Sequence, residues 1–225
     1  MEKEQLFYKE YYDDIKTVEL NLINKISEIL KPMIRQSETK QIEYTTSRIK
    51  SSDSVITKLH KLCLEETVQS AIQNLSDIVG IRLVVHFLGD IYTIRNILVN
   101  SGKLNIVKEK DYIRKAKRSG YRGYHIVVEE LGEKYKIKAE IQIRTIAMDC
   151  WASLEHQLRY KKVIKNAELI DIELKKCSDD LMSADIAMEQ ILNLVHKSSL
   201  YENRTDLLFE DAMNCAMRED GDRTL

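Results

Sequence analysis

Apolar residues at Ile15, Val18, Leu22, Ile26 and Ile29 follow the three- and four-residue steps of a single helix face. The pattern predicts a first helix that stops at Lys31-Pro32, because a proline disfavours helical geometry in the residue before it. A second helix is predicted from Ser54 to about Asn74, after a Ser-Ser-Asp-Ser cluster rich in capping side chains. The periodicity then changes. IRLVVHF is a continuous apolar run of strand length, and DIYTIRNILVNSG returns to helical spacing and ends at Gly102. YHIVVEEL and KYKIKAEIQIRT lie either side of Gly132 and read as an antiparallel hairpin with a short glycine-bearing loop. A helix from about Ala147 to Tyr160 follows, with Met148, Trp151, Leu154 and Leu158 on its inner face.

From Ile170 the apolar positions are Leu174, Cys177, Leu181, Ala184, Met188, Ile191 and Val195, alternating steps of four and three. This heptad seam needs a partner, either the chain's own domain and first helix or the helices of other copies. Beyond Tyr201 the chain is acidic. Six of the seven glycines fall between Gly80 and Gly132, and the only proline is Pro32. Helical flanks around a strand-rich centre make the expected class α+β, organised as a helical segment over 1–45, a central domain over 46–160, and a helical oligomerisation segment with an acidic tail over 161–225.

At 225 residues and 44% hydrophobic, the chain can bury a core. The start is charged from its second residue and no apolar run approaches 18 residues, so neither a signal peptide nor a membrane span is expected. Cys63, Cys150, Cys177 and Cys215 lack zinc or redox spacing and read as free thiols in a reducing cytoplasm. The net charge of −1 hides a division: residues 108–122 carry Lys108, Lys110, Arg114, Lys115, Lys117, Arg118 and Arg122 against Glu109 and Asp111. A local basic site in a neutral protein suits a compact polyanion better than a long nucleic acid, although a solvated loop accounts for a charge run equally well.

In EIQIRT, Glu140, Gln142 and Arg144 are two apart and share one strand face, which is either the wet side of a sheet or a wall of an active site. Asp77 opens the apolar strand and would lie beside Glu140 if the two strands were neighbours. Two such carboxylates can hold Mg²⁺ while leaving room for phosphate oxygens. Cations gather in two groups, Arg48, Lys50, Lys58 and Lys61 before and within the second helix, and Lys115, Lys117, Arg118 and Arg122 around SGYRGYH. Two basic groups suit two phosphorylated substrates, and Tyr121, Tyr124 and His125 add aromatic planes and a phosphate donor. There is no GxxxxGK[ST], GxGxxG or GxSxG motif, so phosphate must be held by side chains and metal.

Taken in order, SRIK (47–50), SDIVGIRLVV (76–85), SGYRGYH (119–125) and EIQIRTIAMDCWASLEH (140–156) resemble the synthetase domain of the RelA/SpoT family. The size, with a helical tail and no other domain, is similar to the small alarmone synthetases of the stringent response. The resemblance implies a mixed, largely antiparallel sheet flanked by helices, related to nucleotidyltransferases. It also implies transfer of the β,γ-pyrophosphate of ATP to the ribose 3′-hydroxyl of GDP or GTP, and sometimes GMP, with release of AMP. By the same resemblance, Asp77 and Glu140 hold Mg²⁺, and Glu140 also activates the 3′-hydroxyl. Arg48 and Arg82 sandwich adenine, and Lys50, Lys58 and Lys61 lie near the ATP phosphates. Tyr121 stacks on guanine, Lys117 and His125 meet the acceptor's 5′-phosphates, and Gln142, Ala152 and Asp149 line the guanine side.

Asp149 stands where relatives commonly have Asn, and Gly123 where many have Ser, which leaves acceptor preference open. No His-Asp dipeptide occurs, so synthesis is expected without a hydrolytic site. Small synthetases of this type are often tetramers, so a homo-oligomer is expected, with single-stranded RNA as a possible regulator. Two alternatives stay open: a toxin-like enzyme that pyrophosphorylates the 3′ end of tRNA, and a non-catalytic nucleotide- or RNA-binding regulator.

Overall fold

A computed structural model describes residues 2–36, 40–159 and 166–219. Contacts divide the chain into two units, Met1–Asp185 and Ile186–Leu225. The first unit is built on a five-stranded sheet: β1 (Ile42–Ile49), β2 (Val79–Val85), β3 (Ile106–Asp111), β4 (Tyr124–Leu131) and β5 (Lys136–Thr145), in the order β1-β2-β5-β4-β3. Only β2 and β5 run parallel; the other three pairings are antiparallel. This is the mixed, largely antiparallel sheet that the resemblance implied, and β4 and β5 form the expected hairpin.

The helices are α1 (Glu2–Tyr8), α2 (Tyr12–Gln36), α3 (Ser52–Lys61), α4 (Val68–Asn74), α5 (Leu88–Asn100), α6 (Ile146–Arg159) and α7 (Ala167–Glu219). The stripe Ile15, Val18, Leu22, Ile26 and Ile29 is buried, as its spacing predicted. Together with Ile91, Ile94 and Leu98 of α5 it forms one core with Ile81, Leu83, Ile126, Ile141 and Ile143 of the sheet. Strand alternation puts these sheet residues on one face. The opposite face is left for polar side chains. Among the described residues, no helix is long and apolar enough to cross a membrane.

Four expectations need correction. First, α2 runs through Pro32 to Gln36; Leu30 is buried and Met33 packs on the core, and this packing offsets the hydrogen bond that proline removes. Second, the helix expected from Ser54 to Asn74 is two helices. Cys63 takes a left-handed φ of 53°, Cys63 N–H donates to the His60 carbonyl and Leu64 N–H to that of Leu59, which closes α3 in a Schellman turn. Thr67 then caps α4 by accepting from Ser70 N–H at 3.2 Å. Third, β1 and β3 were not anticipated. Fourth, Met148 and Trp151 of α6 are buried but Leu154 is 57% and Leu158 49% exposed, so only the first half of that inner face is covered. The seam along α7 is likewise unevenly covered: Leu174 is buried within the first unit, while Met188, Ile191 and Val195 of the second are exposed.

Candidate active site

Strand register sets the polar face. Arg48 pairs with Gly80 and Gly80 with Glu140; Thr46 pairs with Arg82, Arg82 with Gln142, Gln142 with His125 and His125 with Lys110. Residues directly opposite one another share a face, so a single polar row crosses all five strands. The Arg48 side chain lies over Gly80, where a Cβ would meet Arg48 Cγ at an ordinary contact distance of 3.6 Å.

At one end of the face lies Asp77, two residues before β2. Lys50 Nζ donates to its Oδ2 at 3.0 Å and Lys58 Nζ to its Oδ1 at 2.8 Å. Burial would raise the Asp77 pKa, but the two lysines outweigh it and hold the carboxyl below its ordinary value. Lys61 is exposed on the last turn of α3, one turn beyond Lys58.

Glu140, near the centre of the sheet, belongs to a closed ring of side chains. Gln142 Nε2 donates to Glu140 Oε2 at 2.8 Å, and Arg144 Nη2 donates to Gln142 Oε1 at 2.9 Å and to the Tyr121 hydroxyl at 2.8 Å. That hydroxyl lies 2.5 Å from His125 Nε2, and His125 Nδ1 lies 3.0 Å from Glu140 Oε1. The proton positions follow from chemistry. Arginine only donates, so the tyrosine oxygen accepts and its own proton goes to His125 Nε2. The remaining imidazole proton must sit on Nδ1, facing Glu140 within ion-contact range although off the ideal hydrogen-bond line. Burial would raise the Glu140 pKa, but His125, Gln142 and Lys110, 3.9 Å away, hold it down at about 2. His125 itself is depressed, because burial outweighs the attraction of Glu140.

Arg144 extends the ring to Asp149 in the first turn of α6. Arg144 Nη1 and Arg82 Nη1 approach Asp149 Oδ1 at 2.9 and 3.0 Å, and the Tyr44 hydroxyl donates to Oδ2 at 2.6 Å. Ala152 is half-buried one turn further on. Lys117 Nζ lies 4.6 Å from the Tyr121 ring centre, and the Arg144 guanidinium 5.0 Å from it. A Cβ at Gly123 would sit 3.2 Å from the Tyr121 hydroxyl, so glycine leaves that hydroxyl its room.

The structure thus joins Asp77, Lys50 and Lys58 in one cluster, and Glu140, Gln142, His125, Tyr121 and Lys117 in another, with Arg82 and Asp149 alongside the second. Arg144 and Tyr44 were not among the expected site residues. Arg144 was legible from its shared face with Glu140; Tyr44 rides on the unanticipated β1. Asp77 and Glu140 offer hard oxygen donors, and the described residues contain no group of three or more potential metal ligands. Such a donor set fits Mg²⁺, which is commonly held by one or two carboxylates with substrate phosphates completing its shell.

Comparison with known proteins gives a consistent result. Residues 47–165 match the profile described as "Region found in RelA / SpoT proteins". GTP pyrophosphokinase YwaC of Bacillus subtilis (strain 168) is 42% identical over 142 residues, covering 61% of this chain and 68% of that protein. GTP pyrophosphokinase YjbM of the same organism is 33% identical over 162 residues, covering 70% and 75%. Among solved structures, small alarmone synthetase 1 from Bacillus subtilis bound to its product pppGpp superposes with a TM-score of 0.76 at 28% identity, over 85% of this chain and 98% of that one. Small alarmone synthetase 2 from Bacillus subtilis gives 0.69 at 36% identity, over 80% and 94%.

Proposed function

The chain belongs to the RelA/SpoT family, and on that premise we propose that it is an alarmone synthetase, transferring the β,γ-pyrophosphate of ATP to the 3′-hydroxyl of GDP or GTP, and of GMP where it is offered. The observation that carries this reading is a pair of carboxylates at neighbouring parallel strands: Glu140 on the polar face of β5 beside His125 and Lys110, and Asp77 just before β2 held by Lys50 and Lys58. Relatives named GTP pyrophosphokinases and a structural neighbour bound to pppGpp support the same chemistry.

In this reading the donor lies on the Asp77 side, with Arg48 and Arg82 on either face of adenine and Lys50, Lys58 and Lys61 along the phosphates. The acceptor lies on the Tyr121 side, its guanine against the tyrosine ring and near Gln142, Asp149 and Ala152, its 5′-phosphates toward Lys117 and His125. Asp77 and Glu140 would hold Mg²⁺, which supplies charge neutralisation on the phosphate oxygens when bound. Glu140, kept ionised by its neighbours, accepts the hydrogen bond of the 3′-hydroxyl and orients its oxygen. A bond forms between that oxygen and the β-phosphorus of ATP as the hydroxyl proton passes to Glu140 and on to solvent, the bond from the β-phosphorus to the α,β-bridging oxygen breaks, and AMP leaves. Positioning and electrostatics supply most of the acceleration beyond that proton transfer. These substrates are cytoplasmic nucleotides, and the reaction is assigned to the cytoplasm.

The test is a product assay with γ-labelled ATP and Mg²⁺, offering GMP, GDP, GTP or deacylated tRNA separately. Label on a guanine nucleotide with AMP released is the expected result. Label on tRNA alone, or no transfer, overturns it.

A further inference from the structure

Tyr121 lies in a loop whose two flanking residues are tied to consecutive positions of α7. Ser178 Oγ donates to the Gly120 carbonyl at 2.5 Å, and Arg122 Nη2 donates to Asp179 Oδ1 at 2.9 Å. The contact is close on the backbone side as well. Gly120 has φ +93°, and a Cβ there would stand 3.0 Å from Lys175 Cα and 3.1 Å from Ser178 Cβ. The helix is in turn held by α6, where Trp151 Nε1 donates to the Leu174 carbonyl at 2.8 Å, and by β5, where Thr145 Oγ1 donates to Asp185 Oδ2 at 2.6 Å. Ser178 is buried, although serine favours caps and turns over helix interiors. Its hydroxyl instead satisfies a carbonyl outside the helix.

We propose that Ser178 and Asp179 are positioning residues for the acceptor nucleotide, fixing Gly120 and Arg122 so that the Tyr121 ring is held within cation–π distance of Lys117 and Arg144 at the acceptor side of the site. This rests on the reading of the Tyr121 loop as the acceptor subsite. The residues touch neither substrate; they act through the loop. On the donor side, Asp77 is held by Lys50 and by Lys58 of α3 rather than through α7. The effect should therefore divide between the substrates.

The experiment compares Ser178→Ala, Asp179→Ala and the double variant with the unaltered protein, measuring the KM for GDP and for ATP, and thermal stability. Losing the neutral Ser178 hydrogen bond or the charged Asp179 one should raise the KM for GDP about three- to tenfold, and the double variant should exceed either, with the KM for ATP within about twofold. Trp151, the single tryptophan, abuts Gly120, so its fluorescence gives a second readout by titration with GDP alone. Unchanged KM values in active variants overturn the proposal. So does a parallel rise for both substrates accompanied by loss of thermal stability, which assigns these residues to folding alone. An unaltered protein that neither transfers to GDP nor binds it overturns both this inference and the function beneath it.

Discussion

Glu140 and His125 bury two titratable groups against each other, and their depressed pKa values have a definite sign. The folded protein resists protonating either group, so the unfolded chain takes up those protons first as pH falls. Stability from His125 is complete above its ordinary value of about 6.5 and declines below it; that from Glu140 is complete above its ordinary value and is lost as pH falls toward about 2. Thermal midpoints measured from pH 8 downward should therefore hold level, then fall from about pH 6.5 and fall further below about pH 4.5. His125→Asn should flatten the first descent; an unchanged curve would show that His125 does not contribute it. Glu140→Gln keeps the shape of the side chain but removes the charge that the ring is built around. It should cost roughly 10²- to 10⁴-fold in turnover while leaving ATP affinity within a few-fold, measured by steady-state kinetics and ATP titration. The grouping of Glu140, Gln142 and Arg144 was legible because strand residues two apart share a face. The contacts of Arg82 and Arg144 with Asp149 were not, because they depend on which strands become neighbours, and no local period encodes that.

Helices and the central hairpin were readable because each carries a periodicity of its own. β1 and β3 escaped because they are edge strands, largely exposed or half-buried along their length, so alternation is not enforced by a core on one side. The end of α3 escaped because Cys63 occupies a left-handed position where glycine is the usual signal. A joint between α2 and the hairpin was also invisible in the sequence. Buried Asp14 accepts from Lys134 N–H at 2.7 Å and from Tyr135 N–H at 3.2 Å, across the turn at Gly132. Any side chain at Gly132 would collide with it, since a Cβ would lie within 3 Å of both Asp14 Oδ1 and Cβ. Asp14→Ala leaves two backbone donors short of a partner and should destabilise the fold by about 2–4 kcal/mol. Gly132→Ala should also destabilise it, and the double variant should lose less than the sum because removing the carboxylate relieves part of the clash. Denaturant unfolding checks this; strict additivity would mean that the two positions do not interact. Neither residue meets a substrate in the proposed mechanism, so kinetic constants at low temperature should stay close to those of the unaltered protein.

At the scale of the whole molecule, the unfinished feature is the helix beyond Asp185. Met188, Ile191 and Val195 follow steps of three and four and are 52%, 52% and 57% exposed, with Leu194 beside them more exposed still. Burying an apolar side chain of this size is worth about 1.5–3 kcal/mol, so leaving several in water on one helix is costly. A heptad seam finds its natural cover in another seam of the same spacing. The resemblance to small alarmone synthetases leads to the same expectation, a tetramer. Light scattering at micromolar concentration should return a multiple of 26.3 kDa, and Ile191→Glu with Val195→Glu should reduce that multiple by placing charges in the seam. Because neither residue belongs to the polar row of the sheet, the variant separates two roles for association. If it dissociates and retains transfer, assembly serves stability or regulation; if dissociation abolishes transfer without unfolding the sheet, the site depends on assembly. A monomeric mass for the unaltered protein would remove the seam's assignment and leave its apolar residues without a partner of their own kind.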